Sequence, residues 1–481
     1  MHSTSTRFIE SSTNRYAGVL ACVFAFILSL SLLPGIAFGD VRNSDVIRGN
    51  TIASQGYTVA DCPNITAEYA YVVSEDGTVY FERGADTQTK IASITKVMTA
   101  LVALDYGDLK NTKITVSAAA AAIGESSATL IEGDTLDLET ALKALMICSG
   151  NDAAQAIAES MGPTILEQIK ADDSIAEEDR PSNGYDAFIW AMNKKASELG
   201  MVDSHFANPH GLDFGQYQGD MYSSAHDVSR MCAEAMKNDT FRSIVSTDKA
   251  TIQVTRSGAS ADIVLESTDT LLNTYNGACG IKTGYTEQAG ACFAGACERD
   301  GEMLYAIVLK SSTEAQRFVD VQALYDWVYN HTIDYSLVHS PQTTSYESDG
   351  QTHTVPVVAE VSNKAWIDKT FKATLSDPQA AVRIFTLEGN VSQQMEFDDV
   401  SSDVHVGQKV GQVKFLQNNE VIATADIVAA EESAGPNFFE GVGIWWDRLF
   451  RGFSGEPTEA ENVIVNTTPL VYGSNASLKA S

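Results

Sequence analysis

From Tyr69 onward the spacing of apolar residues switches between a period of two and a period near 3.6, which predicts strands and helices in turn. "YAYVVSEDGTVYFERGA" holds two alternating runs joined through Asp76-Gly77 and predicts a β-hairpin. "SITKVMTALVALDYG" predicts an apolar helix ending near Gly107, with Ile94, Val97, Met98 and Leu101 at helical spacing. "TLDLETALKALMICSG" is amphipathic, with Leu136, Leu138, Leu142, Leu145 and Met146 on one side, and it stops at Ser149-Gly150. "NDAAQAIAESMG" begins the next helix, with Ala154, Ile157, Ala158 and Met161 facing inward. "ADDSIAEEDRPSNG", residues 171–184, is acidic and poor in apolar residues, so it reads as a surface insertion. Later, "GACGIKTGYTEQAGACFAGACERDGEMLYAIVLKSS" predicts three strands, and "AQRFVDVQALYDWVYNHT" an amphipathic helix. Strands at both ends and helices between them imply an α+β unit. Its antiparallel sheet has first and last strands as neighbours and carries an inserted helical portion.

The pattern changes near residue 340. "SPQTTSYESDGQTHT" reads as a polar linker. Only strand signals follow: "VPVVAEV", "TFKATL", "AVRIFTL", "KVGQVKFL" and "VIATADIVA", the last two joined by Asn418-Asn419. They predict a small all-β domain at 345–431. Next comes "PNFFEGVGIWWDRLFRGF", residues 436–453. At helical spacing Phe438, Phe439, Val442, Trp445, Trp446, Leu449, Phe450 and Phe453 share one face. Glu440, Asp447, Arg448 and Arg451 share the other. Such a stripe predicts a helix lying in a membrane interface, held by apolar burial since lysines are missing. A helix packed on the protein itself is the alternative. Residues 454–481 read as a disordered tail.

Length and charge narrow the picture. A chain of 481 residues, 44% apolar, accommodates two or three packed domains. Its net charge of −31 repels nucleic acid, so a polyanion partner is not expected. At the start, Arg7 and Arg15 precede "YAGVLACVFAFILSLSLLPGIAFG", which ends in Pro34 and then Ala37-Phe38-Gly39. This predicts a signal peptide at 1–39 cut before Asp40, followed by a lead segment at 40–68. The run is also just long enough to remain as an anchor. Both readings place the remainder outside the cytoplasm. Among seven cysteines, Cys22 leaves with the signal segment. Cys62, Cys148, Cys232, Cys279, Cys292 and Cys297 form no CxxC and no Cys/His cluster, so no metal site is expected. Cys279, Cys292 and Cys297 lie close enough in sequence to cross-link in an oxidising compartment. Buried free thiols are the alternative.

Three short groups carry chemistry. Ser93 and Lys96 are three residues apart on the predicted helix, so the amine reaches the hydroxyl. A serine needs a base to attack, and burial among apolar side chains lowers a lysine toward that role. The helix dipole would favour developing negative charge at Ser93. Ser149-Gly150-Asn151 lies between two helices, where a hydroxyl and an amide can relay a proton and hold a substrate amide. The same residue types also serve as ordinary helix caps. Lys282-Thr283-Gly284 lies in a predicted strand. Its lysine and threonine could grip a carboxylate, and Gly284 would let the substrate backbone come close.

In this order the three groups resemble the D-alanyl-D-alanine carboxypeptidases, low-molecular-weight penicillin-binding proteins of the serine peptidase type. "KIASITKVMTAL", "ALMICSGNDAA", "MVDSHFANPHGLD", "YSSAHDVSRM", "CGIKTGYTEQAGACFAGA" and "QRFVDVQALYDW" look like family blocks in family order. The resemblance implies a penicillin-binding, β-lactamase-like transpeptidase domain at 69–335, then the family's β domain and a membrane helix. Ser93 would be the nucleophile, Lys96 its general base and Ser149 the proton relay. Asn151 would hold the substrate amide, Lys282 would support the network, and Thr283 and Arg317 would receive the terminal carboxylate. Backbone N–H groups of Ser93 and Tyr285 would form the oxyanion hole. The implied substrates are peptidoglycan stem peptides, the implied inhibitors β-lactam antibiotics, and the implied location the outer face of the cytoplasmic membrane. No cofactor is implied. Tyr285 stands where some relatives have histidine. The acidic insertion would border the cleft, Cys148 would be buried, and His210 would stabilise a loop.

The rival readings are narrower. A class A β-lactamase wants Glu-x-x-Leu-Asn between the second and third groups. The nearest match, "DTLLN" at Asp269–Asn273, has aspartate and directly precedes the strand of Lys282. A D,D-transpeptidase would form the same acyl-enzyme. A non-catalytic peptidoglycan-binding scaffold would not need Ser93, Lys96, Ser149, Asn151 and Lys282 intact.

Overall fold

The computed structural model describes residues 44–472 apart from Gly56 and Asp349. The expected signal segment at 1–39 lies outside them, as do residues 473–481. The chain divides into two compact units, Met1–Tyr325 and Asp326–Ser481.

The first unit begins with β1 (Val46–Ile47), β2 (Asn50–Thr51), β3 (Tyr69–Ser74) and β4 (Val79–Arg83). A 3₁₀ turn, Ala92–Thr95, runs into α1 (Lys96–Tyr106). Then come β5 (Lys113–Thr115), β6 (Thr135–Asp137), α2 (Leu138–Met146), α3 (Asn151–Ala171), α4 (Gly184–Glu198), α5 (Ala225–Met236) and α6 (Asp239–Val245). A second run of strands follows: β7 (Lys249–Arg256), β8 (Ala259–Glu266), β9 (Ala278–Thr286), β10 (Gly290–Arg299) and β11 (Glu302–Ser311). The helix α7 (Gln316–His331) carries the chain out of this unit.

The main sheet has seven strands in the order β2-β1-β4-β3-β11-β10-β9. Its early strand β3 pairs antiparallel with the late strand β11, Val72 opposite Ala306, which is the closure that the sequence pattern implies. The segment before Tyr69 does more than lead in, since β1 extends the sheet beyond β4. Two buried polar knots hold that segment. Asp45 receives Arg83 Nε at 2.7 Å and Nη2 at 2.8 Å. Asp320, on α7, accepts from Thr66 N, Ala67 N and Ser311 Oγ at 2.7–3.0 Å. Each oxygen is satisfied, so burial of these charges is tolerated.

The helical portion packs Val97, Met98, Leu101, Leu142, Leu145, Ile157 and Phe188 into one apolar core. Leu136, expected on a helix, lies in β6, and Asp137 caps α2 by accepting from Thr140 N. The helix α3 continues through Gly162-Pro163 because Gly162 sits against Gly184: a Cβ there would lie 2.1 Å from the Gly184 carbonyl. Absent from the sequence expectation is a four-stranded sheet, β5-β6-β7-β8. Its hairpin turns at Ser257-Gly258, both at positive φ, the geometry of a tight two-residue connection.

Among its described residues the second unit is mostly β, with the end of α7, a short 3₁₀ turn and one further helix. Its strands are β12 (Thr332–Ser336), β13 (Thr343–Ser348), β14 (Gln351–Pro356), β15 (Ala359–Ser362), β16 (Thr370–Leu375), β17 (Ala381–Phe385), β18 (Ser392–Phe397), β19 (Lys409–Gln417), β20 (Glu420–Ala429) and β21 (Val463–Ile464). Six of them form one sheet, β18-β19-β20-β16-β15-β21, over a core of Val361, Phe371, Val413, Phe415 and Ile427. Asn418 and Asn419 both take positive φ at the β19–β20 turn, where asparagine tolerates the left-handed region.

Three boundaries are corrected. Residues 332–335, assigned to the first domain from sequence, pair with β17 in the second unit. The expected polar linker is a hairpin, β13–β14, whose exposed polar faces conceal its period of two. The expected disordered tail is ordered through Tyr472. Within it β21 pairs with β15, and buried Asn466 donates to Leu337 O and accepts from His339 N. One amide thus satisfies backbone groups far away in sequence, which no local pattern announces.

The helix α8 (Phe438–Ser454) is capped by Asn437 and Glu440 in a reciprocal box and ends at Gly455, φ 75°. Arg448 donates to the carbonyls of Lys364 and Trp366 at 2.6 and 2.9 Å, fixing its polar side. The aromatic stripe stays uncovered: Phe439 is 84% exposed and Phe453 82%. Among the described residues no helix is long and apolar enough to cross a membrane.

Candidate active site

The site is built around the sharp turn before α1. Ala92 has φ 47°, and Ser93 follows in the 3₁₀ turn. Three residues per turn eclipse positions i and i+3. Lys96 Nζ therefore lies 2.7 Å from Ser93 Oγ. The sequence reading placed both on one α-helix, whereas the helix proper starts at Lys96.

Lys96 is fully buried and also donates to Asn151 Oδ1 at 2.7 Å and to the His210 carbonyl at 3.0 Å. Both partners can only accept. Asn151 is held in this orientation because its Nδ2 donates to Gly124 O at 3.0 Å. Burial, reinforced by nearby Lys282, pushes the Lys96 amine well below its ordinary value. A neutral amine has two hydrogens and one lone pair. The hydrogens are committed to Asn151 and His210, so the lone pair is left for the Ser93 hydroxyl. That is the arrangement of a general base and a nucleophile. His210 contributes its backbone. Its ring, pushed down to about 3 by burial, stays neutral and accepts from Leu212 N at 3.2 Å, the loop-stabilising role expected of it.

The third group lies on β9, at the edge of the main sheet. Gly284 presses on the nucleophile's turn: a Cβ would stand 2.6 Å from the Ile91 carbonyl. Gly211 presses from elsewhere, with a Cβ 2.0 Å from the Ala92 carbonyl. The sequence reading reserved Gly284 for approach of a substrate; the structure uses it for approach of the protein's own backbone. Gly284→Ala is expected to displace the turn, destabilise the fold by about 1–3 kcal/mol and slow acylation of Ser93. Thermal melts and labelled-penicillin kinetics would check it.

A cleft of about 560 Å³ opens over Ser93, lined also by Asn151, Ser126, Phe214, Tyr285, Glu287 and neighbours. Ser149 is buried on the loop between α2 and α3 with φ 64°, and its hydroxyl makes no hydrogen bond with the lysine. Lys282 is buried and donates to Thr283 O at 3.0 Å. Burial and Arg317 push it down to about 7. Thr283 is buried, with its hydroxyl 2.6 Å from that of Thr268. Arg317 lines a second cavity of about 450 Å³, with Nη1 on Gly284 O at 3.2 Å. Thus Ser93, Asn151 and Tyr285 line one cleft, with Lys96 bonded to the first two, while Thr283 is not among its lining residues and Arg317 lines the second cavity.

The model of the D-alanyl-D-alanine carboxypeptidase family matches residues 56–171 and 170–313, more than half of the chain. The chain belongs to this family of serine peptidases. The D-alanyl-D-alanine carboxypeptidase DacF of Bacillus subtilis (strain 168) is 28% identical over 382 residues, 77% of this chain and 87% of the relative. A D-alanyl-D-alanine carboxypeptidase of Streptomyces sp. (strain K15) is 30% identical over 295 residues, 60% of this chain and 95% of the relative. Among solved structures, the Streptomyces K15 DD-transpeptidase matches at 31% identity and TM-score 0.48, covering 56% of this chain and 98% of that one.

For a member of this family, several details are particular to the chain. The acidic insertion, a 3₁₀ turn at Glu177–Asp179 with exposed flanks, supplies no residue to the Ser93 cleft. The segment at Asp269–Asn273 is a 3₁₀ turn, and Asp269 caps it by accepting from Leu271 N at 2.8 Å. Cys279 and Cys292 are free thiols rather than cross-linked. Cys148 is partly exposed rather than buried, its thiol pushed up to about 11 by its surroundings.

Two site residues were missed from sequence. Thr268 joins the second and third groups, bonding Thr283 through its hydroxyl and donating from N to Ile147 O at 3.3 Å. Asp152 accepts from Ser127 Oγ, Ala128 N and Leu130 N at 2.6–3.1 Å and so fixes the loop along the cleft. Neither has a motif spacing of its own. Asp152 is visible only as a carboxylate on an otherwise apolar helix start.

Proposed function

We propose that the protein is a serine-type D-alanyl-D-alanine carboxypeptidase acting on peptidoglycan stem pentapeptides. The observation that carries this reading is the buried Lys96 amine 2.7 Å from Ser93 Oγ, held as well by two fixed acceptors. Lys96 takes the Ser93 proton as Oγ attacks the carbonyl between the two D-alanines. The oxyanion is received by the N–H groups of Ser93 and Tyr285, each such donor being worth roughly 10²–10³ in rate. The nitrogen of the leaving D-alanine takes up the proton through Lys96, with Ser149 beside that route. Water then attacks the ester and frees Ser93. Removal of the terminal D-alanine would regulate cell-wall cross-linking, and penicillins, which carry a comparable acyl group, would acylate the same oxygen.

The test is D-alanine release from an N-acyl-L-Lys-D-Ala-D-Ala peptide by residues 40–431 and by the full chain. Steady release without an amine acceptor, lost in Ser93→Ala, is the expected result. Release only when an amine acceptor is supplied would favour the transpeptidase reading, the name borne by the matching Streptomyces structure.

The location is proposed on the same terms. Export follows from the N-terminal apolar run, and peripheral attachment to the outer face of the cytoplasmic membrane from the uncovered aromatic stripe of α8. The full chain is expected to sediment with neutral phosphatidylcholine vesicles and Phe439→Glu/Trp445→Glu to remain in solution. Equal sedimentation of both would remove α8 from the account.

A further inference from the structure

The walls of the Ser93 cleft are acidic. Glu125, Asp213 and Glu287 line it, and no lysine, arginine or histidine does. Among the described residues, the Glu125 and Glu287 side chains make neither ion pair nor hydrogen bond and both are exposed. Asp213 is buried. Its Oδ2 accepts from Thr286 Oγ1 at 2.7 Å, while Oδ1 has no partner. The backbone on either side of the two glutamates is held in place. The carbonyls flanking Glu125 accept from Asn151: Gly124 O from Nδ2 at 3.0 Å and Ser126 O from N at 2.8 Å. Glu287 follows Tyr285 by two residues at the end of β9, and Gln288 Nε2 ties that turn to Asp213 O at 2.7 Å. The same cleft also offers apolar surface, with Tyr285 51% and Phe214 42% exposed.

Uncompensated carboxylates beside exposed aromatic faces suit one kind of side chain: an apolar stem ending in a cation. We propose that Glu125 and Glu287 make this enzyme selective for stem peptides whose third residue presents a free side-chain amine. The inference rests on the carboxypeptidase reading above and names its substrate class. A peptide with that amine acylated loses the attraction. One ending in a carboxylate at the same position is repelled.

The experiment uses the full chain and three substrates: Nα-acetyl-L-Lys-D-Ala-D-Ala and its Nε-acetyl and Nε-succinyl forms. The expected kcat/KM falls in that order, the first step by about 5-fold or more in low salt. Raising NaCl to about 0.5 M compresses the series, because partly exposed charges are screened. In Glu125→Gln/Glu287→Gln the ratios move toward one. Equal rates for the three peptides with the unmutated protein overturn the proposal, as does a series unchanged in the folded double variant. Should that variant not fold, a series insensitive to salt overturns it. No D-alanine from any of the three overturns the carboxypeptidase reading itself, and this proposal with it.

Discussion

Lys96→Ala is expected to lower the rate of Ser93 acylation by about 10³-fold or more, with the protein still folded. General-base catalysis contributes roughly 10²–10⁴ in typical enzymes, and among the described residues Lys96 is the side chain bonded to Ser93 Oγ. His210 offers the cleft only its carbonyl, and its ring is turned to Leu212 N. Lys96→Arg should fail as completely, since a guanidinium stays protonated and has no lone pair to offer. The measurement is the pre-steady-state acylation rate with a labelled penicillin, paired with D-alanine release. A variant that acylates within about 10-fold of the unmutated protein would show that another group takes the proton. Activity of the unmutated protein should fall on the acid side as Lys96 gains a proton, at a pH far below that of an ordinary lysine.

The second large effect is on stability and has the opposite sign. Lys282→Met is expected to raise thermal stability by on the order of 2 kcal/mol at pH 6, while turnover is lost. Lys282 is buried and finds only the Thr283 carbonyl, so its burial is costly. Its value in the folded chain is about 7 against an ordinary 10.5, so the unfolded chain binds a proton that the folded chain releases. Stability therefore rises with pH across that interval. The cost of Lys282 is full below pH 7 and fades as pH approaches 10.5, and the advantage of methionine should fade with it. Melting curves of both proteins between pH 6 and 10 read this directly. A methionine variant less stable at pH 6, or an advantage that grows with pH, would refute it.

Such a cost is the ordinary price of a working site. Two lysines buried together lose their solvation and repel each other, and both effects favour the neutral amine that Ser93 needs. The strained backbone at Ala92 and Ser149, both at positive φ, belongs to the same pattern. These elements are kept where a stability optimum would remove them.

Much of this was legible in the chain itself. Alternation and helical spacing are local, so the β3–β4 hairpin, α1, the β9–β11 strands and the Asn418-Asn419 turn could be read directly. Where period and solvent exposure disagree, the reading failed. The hairpin β13–β14 is polar on both faces and was read as linker, whereas β7–β8 went unread although Ala250, Ile252 and Val254 alternate opposite Leu265, Ile263 and Ala261. The ordered tail depends on Asn466 reaching groups far away in sequence, which no window of neighbours contains.

The chemistry divides along the same line. The sequence by itself determined which side chains exist to react: a serine three residues from a lysine, an asparagine at a helix start, and a lysine and threonine on a strand. Only the tertiary structure decided how they are used. It placed Asn151 and the His210 carbonyl on the lysine's two hydrogens, and pressed Gly284 and Gly211 against the nucleophile's turn. It also set Arg317 at a second cavity and left acidic side chains along the walls of the Ser93 cleft. The physical reason is range. Periodicity and turn chemistry act between near neighbours, whereas desolvation, close backbone approach and the direction of a lone pair arise only where distant segments meet.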